Sequence, residues 1–297
     1  METMRAPLAR PGAANTHRDL NNGLVEGRTP GNDGRVEPPT SSYLVCASPR
    51  SGTELLCRCL AATGVAGCPQ EYFLAEDPAR LPEWRFWEEG PFAAGHDVAD
   101  RESYLSLVYR LGTTPNGVFG AKIHWNNLRW ALAKFSEMPR FAGLDRGALL
   151  RTAFPGLRVV DVTRRDRVRQ AVSWARMAQD GMWVDPVSEP EPAWPPPAGP
   201  PRYDYRLIEA LEALIAASQD GWRQLYDELG LTPYRVVYEE LSSADGYEQT
   251  IRGVLDHLGL ADYQGPIPAP QTRRQSNDLN EAWVDAYLTD KKSGQEH

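Results

Sequence analysis

Short apolar runs alternate along this chain with longer segments in which apolar residues recur at helical spacing. The runs predict strands at Tyr43–Ala47, Gly117–Trp125, Leu157–Thr163 and Tyr234–Leu241. Strands that are each followed by a helix pack as a parallel sheet with both faces covered. We therefore predict an α/β fold with a central, mostly parallel sheet flanked by helices, in which ligands bind at the carboxyl ends of the strands.

Helical periodicity follows three of these runs. The helices that apolar spacing predicts are one led by Leu55, Leu56 and Leu60, one over about Asp166–Met177, one over Leu207–Leu229, and one marked by Ile251, Val254, Leu255 and Leu258.

The balance of charge limits the partners of this chain. Its 297 residues include 32 Lys or Arg and 40 Asp or Glu, which gives a net charge of −8. General binding to nucleic acid needs clustered cations, so we expect no nucleic-acid partner. No apolar run is long enough to span a bilayer, and the N-terminus lacks the apolar core of a secretion signal. We therefore expect a cytoplasmic enzyme or binding protein.

The cysteines lie around the loop that follows the first predicted strand. Their spacing fits no zinc pattern. Two of them are two residues apart on a predicted helix and point to different sides. We interpret all four as small buried hydrophobic residues and keep a reactive thiol at Cys68 as the alternative. The four are Cys46, Cys57, Cys59 and Cys68.

Two segments stand outside the alternating pattern. Residues 1–40 mix Pro, Gly, Asn and Arg with few large apolar residues, so we expect a disordered leader there. Residues 185–202 (DPVSEPEPAWPPPAGPPR) are rich in proline, which blocks helix formation. We expect a mobile loop there, inserted in a folded domain and bordering its active site. The remainder predicts a single domain over 41–290 and a flexible tail over 291–297.

The stretch SSYLVCASPRSGTELLCRCL, residues 41–60, predicts a strand, a tight loop and a helix. The loop, Ser48–Thr53, offers backbone N–H groups and hydroxyls at a helix N-terminus, where the helix dipole favours an anion. Gly52 permits the backbone angles that such a loop needs, and Arg50 adds a planar set of donors for phosphate oxygens. The loop lacks the Gly-Lys-Ser/Thr ending of an ATP- or GTP-binding loop. It therefore predicts a phosphate site of another kind.

A second basic segment, TRRDRVRQAVSW, begins at the end of the third predicted strand. Arg164 directly follows that strand, so we expect it at the edge of the sheet where ligands bind. Ser173 lies nine residues further on, half a helical turn out of phase, so the two can meet only if Arg164 precedes the helix. We assign the other arginines of this segment to a solvated helix face; they are Arg165, Arg167 and Arg169.

These two segments resemble the phosphate-binding elements of sulfotransferases, which use 3′-phosphoadenosine 5′-phosphosulfate (PAPS). The chain is more similar still to the bacterial trehalose 2-sulfotransferase family. The similar segments, in the same order, are YLVCASPRSGTELL, ATGVAGCPQEYF, TPNGVFGAKIHWN, RQAVSW and RRQSND…WVDAYL. The resemblance runs from about Ser42 to about Leu288. It implies a P-loop-like sulfotransferase fold and transfer of a sulfuryl group to a hydroxyl of a carbohydrate, glycoside or specialised metabolite.

The resemblance also implies roles for individual residues. The loop after the first strand would cradle the 5′-phosphosulfate, and the second basic segment would hold the 3′-phosphate. A residue of RRQSND, either Arg273 or Arg274, would close over the nucleotide. The implied nucleotide-binding residues are Arg50, Ser51, Gly52, Thr53, Arg164, Ser173 and Arg274, and no metal is implied.

Sulfuryl transfer is an in-line displacement that needs a base for the acceptor hydroxyl and positive charge for the leaving phosphate, a task for Arg50. Glu71, in CPQEYF, matches the proposed base of the family. His124, in KIHW, resembles the base of the Lys-x-His motif in animal cytosolic sulfotransferases. Lys122 either assists charge at the sulfuryl group or pairs with an acid. The choice of base stays open between Glu71 and His124.

Several residues are expected to contact the acceptor. Cys68 stands where the trehalose enzymes have a carboxylate near the sugar, so the sequence does not identify the acceptor. Relatives form homodimers, and the sequence leaves open whether this chain does so too. The expected acceptor contacts are Cys68, Gln70, Lys122, Trp125 and Trp183.

Two other functional classes remain as alternatives. One is a small-molecule kinase with a degenerate phosphate loop, in which Asp161 would hold magnesium. The other is a nucleotide-binding module without catalytic activity.

Overall fold

The computed structural model describes residues 38–73, 98–181, 199–270, 272 and 277–293 of the chain. Within them, four strands form one sheet: β1 (Ser41–Ala47), β2 (Val118–His124), β3 (Arg158–Thr163) and β4 (Tyr234–Val237). The strand order is β2-β1-β3-β4, and each neighbouring pair is parallel. The predicted α/β fold with a parallel central sheet is confirmed.

Helices connect and cover these strands. α5 and α6 begin after Asp166 and Asp204, whose carboxylates accept hydrogen bonds from the backbone N–H groups of Arg169 and Leu207 at 2.8 and 3.0 Å. The helices are α1 (Thr53–Ala62), α2 (Val98–Gly112), α3 (Trp125–Ser136), α4 (Arg146–Ala153), α5 (Arg167–Asp180), α6 (Tyr205–Leu229), α7 (Tyr238–Leu241), α8 (Tyr247–His257) and α9 (Asp278–Ser293), with a 3-10 turn at Pro139–Phe141.

Successive side chains of β1 point alternately into two apolar layers, one on each face of the sheet. Leu44 faces a layer that includes Trp222 of α6. Val45 faces the opposite layer, which contains residues of α1 and α8. α5 packs against α6 and α9 in a third apolar cluster. The sheet is therefore covered on both faces, as a parallel sheet requires.

Two strand ends differ from the sequence prediction. β2 ends at His124 and not at Trp125, because Trp125 is the first residue of α3. β4 ends at Val237, whereas the sequence predicts a strand through Leu241. Leu241 is fully buried in the layer with α1 and α8, and helix α7 places it there. Tertiary packing thus overrides the strand pattern of this run. The apolar spacing also fails to predict α2, α3, α4 and α9.

All four cysteines are free and buried, as the sequence predicts. Cys68 is 4% exposed, and burial raises the pKa of its thiol. A buried thiol with a raised pKa is a poor nucleophile. The structure therefore does not support the alternative of a reactive thiol at Cys68.

Several predicted segments lie outside the described residues. Only residues 38–40 of the expected leader and residues 199–202 of the proline-rich segment are described. The expected tail over 291–297 overlaps α9, which continues to Ser293. In the described part of the chain, no helix is both long enough and apolar enough to cross a membrane.

Asp161 lies in the middle of β3, beside Cys46 of β1. Its side chain is buried beneath α6 and accepts a hydrogen bond from the Tyr226 hydroxyl at 3.2 Å. Burial raises the pKa of Asp161, and the Tyr226 hydrogen bond offsets only part of this effect. A kinase would need its magnesium-binding carboxylate at the open edge of the sheet. The position of Asp161 does not fit that role.

We expect Tyr226→Phe to lower the free energy of unfolding by about 1–3 kcal/mol at neutral pH, because the buried carboxylate loses its donor. The pKa of Asp161 in the folded state lies above its ordinary value. Above that pKa the Asp161 carboxyl group is charged, and the buried charge lowers the free energy of unfolding. Below that pKa the group is neutral, and this loss of stability disappears. The cost of the substitution should shrink as the pH falls through the folded-state pKa of Asp161.

Urea denaturation of both proteins at several pH values measures this dependence. Tyr205→Phe is a matched control, because its exposed hydroxyl contacts Glu209 on the same helix and its removal should change stability by less than about 0.5 kcal/mol. A loss for Tyr226→Phe that does not vary with pH would contradict the role given to Asp161.

Candidate functional site

A crevice lies at the carboxyl ends of β1 and β3. These strands are neighbours, but the helices that follow them lie on opposite sides of the sheet. α1 packs in the layer that contains Val45, whereas α5 packs on α6, whose Trp222 lies in the other layer. Where adjacent parallel strands lead to opposite faces, a ligand crevice opens between their ends. The loop Ser48–Thr53 and Arg164 border this crevice.

The loop Ser48–Thr53 has an unusual backbone. Arg50 and Gly52 have φ angles of 65° and 88°. A positive φ in a residue other than glycine is uncommon and tends to occur at functional sites. Gly52 precedes α1 and has no side chain with which to cap it. The N–H groups of the first turn of α1 therefore remain available to an anion.

Side chains of α5 hold this loop in place. Gln170 is fully buried and donates from Nε2 to Ser48 Oγ at 3.0 Å and to the Pro49 carbonyl at 2.7 Å. Ser51 Oγ donates to the Ser48 carbonyl at 2.9 Å. The loop is thus fixed by its own contacts and by α5, without help from a ligand.

Two arginine side chains meet in the crevice. Arg50 donates from Nε to Ser173 Oγ at 3.0 Å, and the guanidinium of Arg164 lies 4.7 Å from the centre of the Tyr238 ring. Loss of hydration and the positive charge of Arg164 lower the pKa of Arg50 to about 10. The two charges repel each other, so an anion bound between them would be attracted by both. Ser173 contacts Arg50, whereas the sequence predicts that it faces Arg164.

Tyr238 packs against both the loop and Arg164. A Cβ atom on Gly52 would lie 2.4 Å from Cδ2 of Tyr238. The tyrosine ring therefore packs against the loop on one side and beneath Arg164 on the other. The sequence does not indicate this role, because Tyr238 falls within a run that predicts a strand.

Glu71 lies beside β2 because the segment around it pairs with that strand. Gln70 forms a parallel bridge with Ala121, and the Gln70 carbonyl accepts a hydrogen bond from Lys122 N at 2.9 Å. The next residue, Glu71, therefore comes to the same edge of the sheet as Lys122 and His124.

Glu71 is surrounded by polar partners. Its Oε2 lies 3.4 Å from Lys122 Nζ, and its Oε1 lies 3.4 Å from His124 Nε2. Asn127 Nδ2, on the first turn of α3, donates to Oε1 at 3.0 Å. The side chain of Glu71 is 20% exposed, so a hydroxyl group can still reach it.

Lys122 also pairs with a second carboxylate. Its Nζ lies 3.2 Å from Glu54 Oε2, and Glu54 Oε1 accepts a hydrogen bond from Arg58 Nε at 2.7 Å. Burial raises the pKa of Glu54, but Lys122 and Arg58 outweigh this effect and lower it to about 2. Burial lowers the pKa of Lys122, but Glu54 and Glu71 outweigh it and hold the pKa above its usual value. Lys122 is therefore charged, and of the two roles open to it, pairing with acids is observed.

His124 has a fixed orientation. Its Nδ1 lies 3.2 Å from the Ala47 carbonyl, which also accepts a hydrogen bond from Trp222 Nε1 at 3.1 Å. Burial lowers the pKa of His124, and Lys122 acts in the same direction, although Glu71 partly opposes both. The net effect favours the neutral form of the ring.

The remaining predicted residues differ in their surroundings. Thr53 is the first residue of α1 and is buried. Cys68 is buried near Tyr72, whose hydroxyl donates to the Cys68 carbonyl at 2.8 Å. The Trp125 ring packs edge-to-face on Trp222, with 5.1 Å between ring centres. This packing accounts for the position of Trp125 without an acceptor. Trp183 and Arg274 lie outside the described residues.

Sequence reasoning missed four residues that shape the site: Glu54, Asn127, Gln170 and Tyr238. Three of them have a spacing signal. Gln170 precedes Ser173 by three residues and so shares its helix face, Asn127 follows His124 by three, and Glu54 falls in the first turn of the helix that follows the loop.

The chain is similar to known proteins over most of its length. Residues 42–290 match the family described as Stf0 sulphotransferase. A trehalose 2-sulfotransferase from Mycobacterium tuberculosis (strain ATCC 35801 / TMC 107 / Erdman) is 32% identical over 261 residues, which cover 82% of this chain and 93% of the relative. A trehalose 2-sulfotransferase from Mycolicibacterium smegmatis (strain ATCC 700084 / mc(2)155) is 30% identical over 269 residues, covering 84% and 95%. With the family matched over most of its length, this chain belongs to the Stf0 sulphotransferase family and is a sulfotransferase.

Proposed function

We propose that this sulfotransferase takes its sulfuryl group from PAPS and transfers it to a hydroxyl of a carbohydrate or glycoside. The observation that carries the proposal is the pairing of two elements at one sheet edge. Arg50 and Arg164 form a cationic crevice beside the start of α1, and Glu71 lies at the end of β2 among Lys122, His124 and Asn127.

The crevice has the chemistry that a phosphorylated donor requires. The uncapped start of α1 favours an anion, and Arg50 and Arg164 add positive charge beside it. We assign the 5′-phosphosulfate to Arg50, Ser51, Gly52 and Thr53. We assign the 3′-phosphate to Arg164 and Ser173, and the closing contact to Arg274.

The acceptor side has the chemistry that a hydroxyl nucleophile requires. A hydroxyl is a weak nucleophile, and a carboxylate within hydrogen-bond reach removes its proton as it attacks sulfur. We assign this base to Glu71, because it is partly exposed and its position is fixed by Asn127 and Lys122. As charge builds on the leaving phosphate, Arg50 would stabilise it.

The class of acceptor rests on the names of the relatives. Both are called trehalose 2-sulfotransferases, which supports a carbohydrate acceptor for this chain. The buried thiol of Cys68 offers sugar hydroxyls a weaker partner than a carboxylate would. We therefore propose a carbohydrate or glycoside whose contacts differ from those of trehalose, with Gln70 as a contact.

A transfer assay with ³⁵S-labelled PAPS against a panel of sugars and glycosides tests this function. We expect label to move to a hydroxylated acceptor and transfer to continue in EDTA, because the proposed machinery consists of arginine, lysine and carboxylate groups. Transfer of phosphate from magnesium ATP to the same panel, with no transfer from PAPS, would overturn the proposal.

Arg164→Ala should weaken binding of adenosine 3′,5′-bisphosphate about ten- to a hundred-fold, because a charged hydrogen bond contributes about 1.5–3 kcal/mol. Binding of adenosine 5′-phosphate should change little. Isothermal calorimetry measures both ligands.

Arg165→Ala is the matched control, since this neighbouring arginine is 62% exposed and pairs with Glu240. It should leave both affinities nearly unchanged. If Arg164→Ala weakened the two nucleotides equally, the assignment of the 3′-phosphate to Arg164 would be wrong.

Glu71→Gln should lower the single-turnover rate of transfer at least about a hundred-fold while nucleotide affinity stays nearly unchanged, since a general base contributes about 10²–10⁴. The amide keeps the size of the side chain and loses its basicity. Rapid quench with labelled PAPS measures the rate.

The control is Glu248→Gln on α8, an exposed glutamate that pairs with Arg252 on the same helix. Its rate should match that of the unchanged protein. If the Glu71→Gln protein retained the rate of the unchanged protein, Glu71 would not be the base.

A further inference from the structure

Two atoms that both lack a hydrogen face each other beside the proposed acceptor position. His124 Nε2 and Glu71 Oε1 are 3.4 Å apart. The Ala47 carbonyl can only accept a hydrogen bond, so Nδ1 of the neutral ring carries the hydrogen that points to it at 3.2 Å. Nε2 then presents a lone pair, and the carboxylate oxygen Oε1 of Glu71 presents another.

Such an arrangement favours a single proton between the two atoms. Two acceptors at this distance gain nothing from each other, whereas a donor that contacts both would satisfy both. The side chains of His124 and Glu71 are 16% and 20% exposed, so a donor from outside can approach them. The hydroxyl of an acceptor is a donor of this kind.

We propose that Glu71 and His124 act as one proton-accepting pair in the transfer reaction. This inference rests on the proposed function. The acceptor oxygen forms a bond to sulfur while the bond from sulfur to the 5′-phosphate oxygen breaks, and that phosphate leaves with the electron pair. The hydroxyl proton passes to Glu71 Oε1 and from there to His124 Nε2. His124 releases the proton to solvent before the next turnover, so one proton is released for each sulfate ester formed.

The charged groups around Glu71 and His124 determine how readily each of the two side chains holds a proton. Lys122 on β2 and Asn127 on α3 both contact the Glu71 carboxylate. Glu54 and Arg58 on α1 lie behind Lys122, and Glu54 holds the Lys122 ammonium in place. Burial and Lys122 disfavour a proton on His124, whereas Glu71 and the Ala47 carbonyl favour it. The protonated ring of His124 is therefore short-lived, which suits a group that must release its proton to solvent before the next turnover.

The pair can be examined in the absence of any substrate by nuclear magnetic resonance of the protein with ¹⁵N-labelled histidine. The signals of His124 are assigned by their loss in His124→Asn, in which the amide nitrogen replaces the Nδ1 donor to Ala47. We expect the ring to be neutral at pH 7 with its hydrogen on Nδ1. In Glu71→Gln we expect the pKa of His124 to fall, since the carboxylate that favours its charge has gone.

A hydrogen on Nε2 at pH 7, or a His124 titration that Glu71→Gln leaves unchanged, would overturn the inference. Because these spectra need no donor, they remain informative even if the protein does not use PAPS. Absence of transfer from PAPS in the unchanged protein would contradict the proposed function and leave the coupling measurement standing.

Single-turnover rates test whether the pair acts in catalysis. We expect His124→Asn to lower the rate about tenfold with unchanged affinity for adenosine 3′,5′-bisphosphate, and Glu71→Gln to lower it more. The double variant should be no slower than Glu71→Gln, because His124 receives its proton through Glu71. His257→Gln is the control; its ring nitrogen contacts the Val159 carbonyl at 3.1 Å, away from the site. A normal rate for His124→Asn would overturn the proposal that Glu71 and His124 act as a pair. A double variant whose loss of rate equals the product of the two single losses would also overturn it.

Discussion

The ammonium of Lys122 connects the two halves of the site. It lies between Glu54, which belongs to the helix that follows the phosphate loop, and Glu71, the proposed base. Its positive charge lies within 3.2 Å of one carboxylate and 3.4 Å of the other and attracts both. The loop that is proposed to hold the donor and the carboxylate that is proposed to activate the acceptor therefore depend on one buried charge.

Contacts within the protein orient the cationic groups of the crevice. Gln170 holds the loop, Ser173 holds Arg50, and Tyr238 supports Arg164. Arg50 and Arg164 thus each have a neutral contact that orients the guanidinium group. Groups fixed in this way do not have to reorganise as charge develops on a leaving phosphate, which is the condition for electrostatic stabilisation of a transition state. Burial, and then the nearby charge of Arg164, lower the pKa of Arg50.

Much of this architecture can be predicted from the pattern of residues. Alternating strands and helices predict the parallel sheet, and the loop Ser48–Thr53 and Arg164 fall at strand ends as their positions in the sequence indicate. The end of β4 cannot be predicted in this way. Its run continues with residues that suit a strand, and Tyr238–Leu241 turn into a helix because Leu241 packs into the layer with α1 and α8. The sequence therefore predicts the loop and Arg164 but does not indicate the tyrosine that lies between them.

The sequence by itself determined the order of the elements and the residue types at the sheet edge, because these depend on local spacing, and its resemblance to known sulfotransferases supplied Glu71 and His124 as candidate bases. Only the tertiary structure decided that the two side chains face each other. The bridge between Gln70 and Ala121 brings Glu71 to the end of β2, and the register of β1 with β2 places the Ala47 carbonyl opposite His124. That carbonyl belongs to a residue 77 positions away and determines which ring nitrogen carries the hydrogen. A protonation state set by a contact this distant in the chain has no local signature in the sequence.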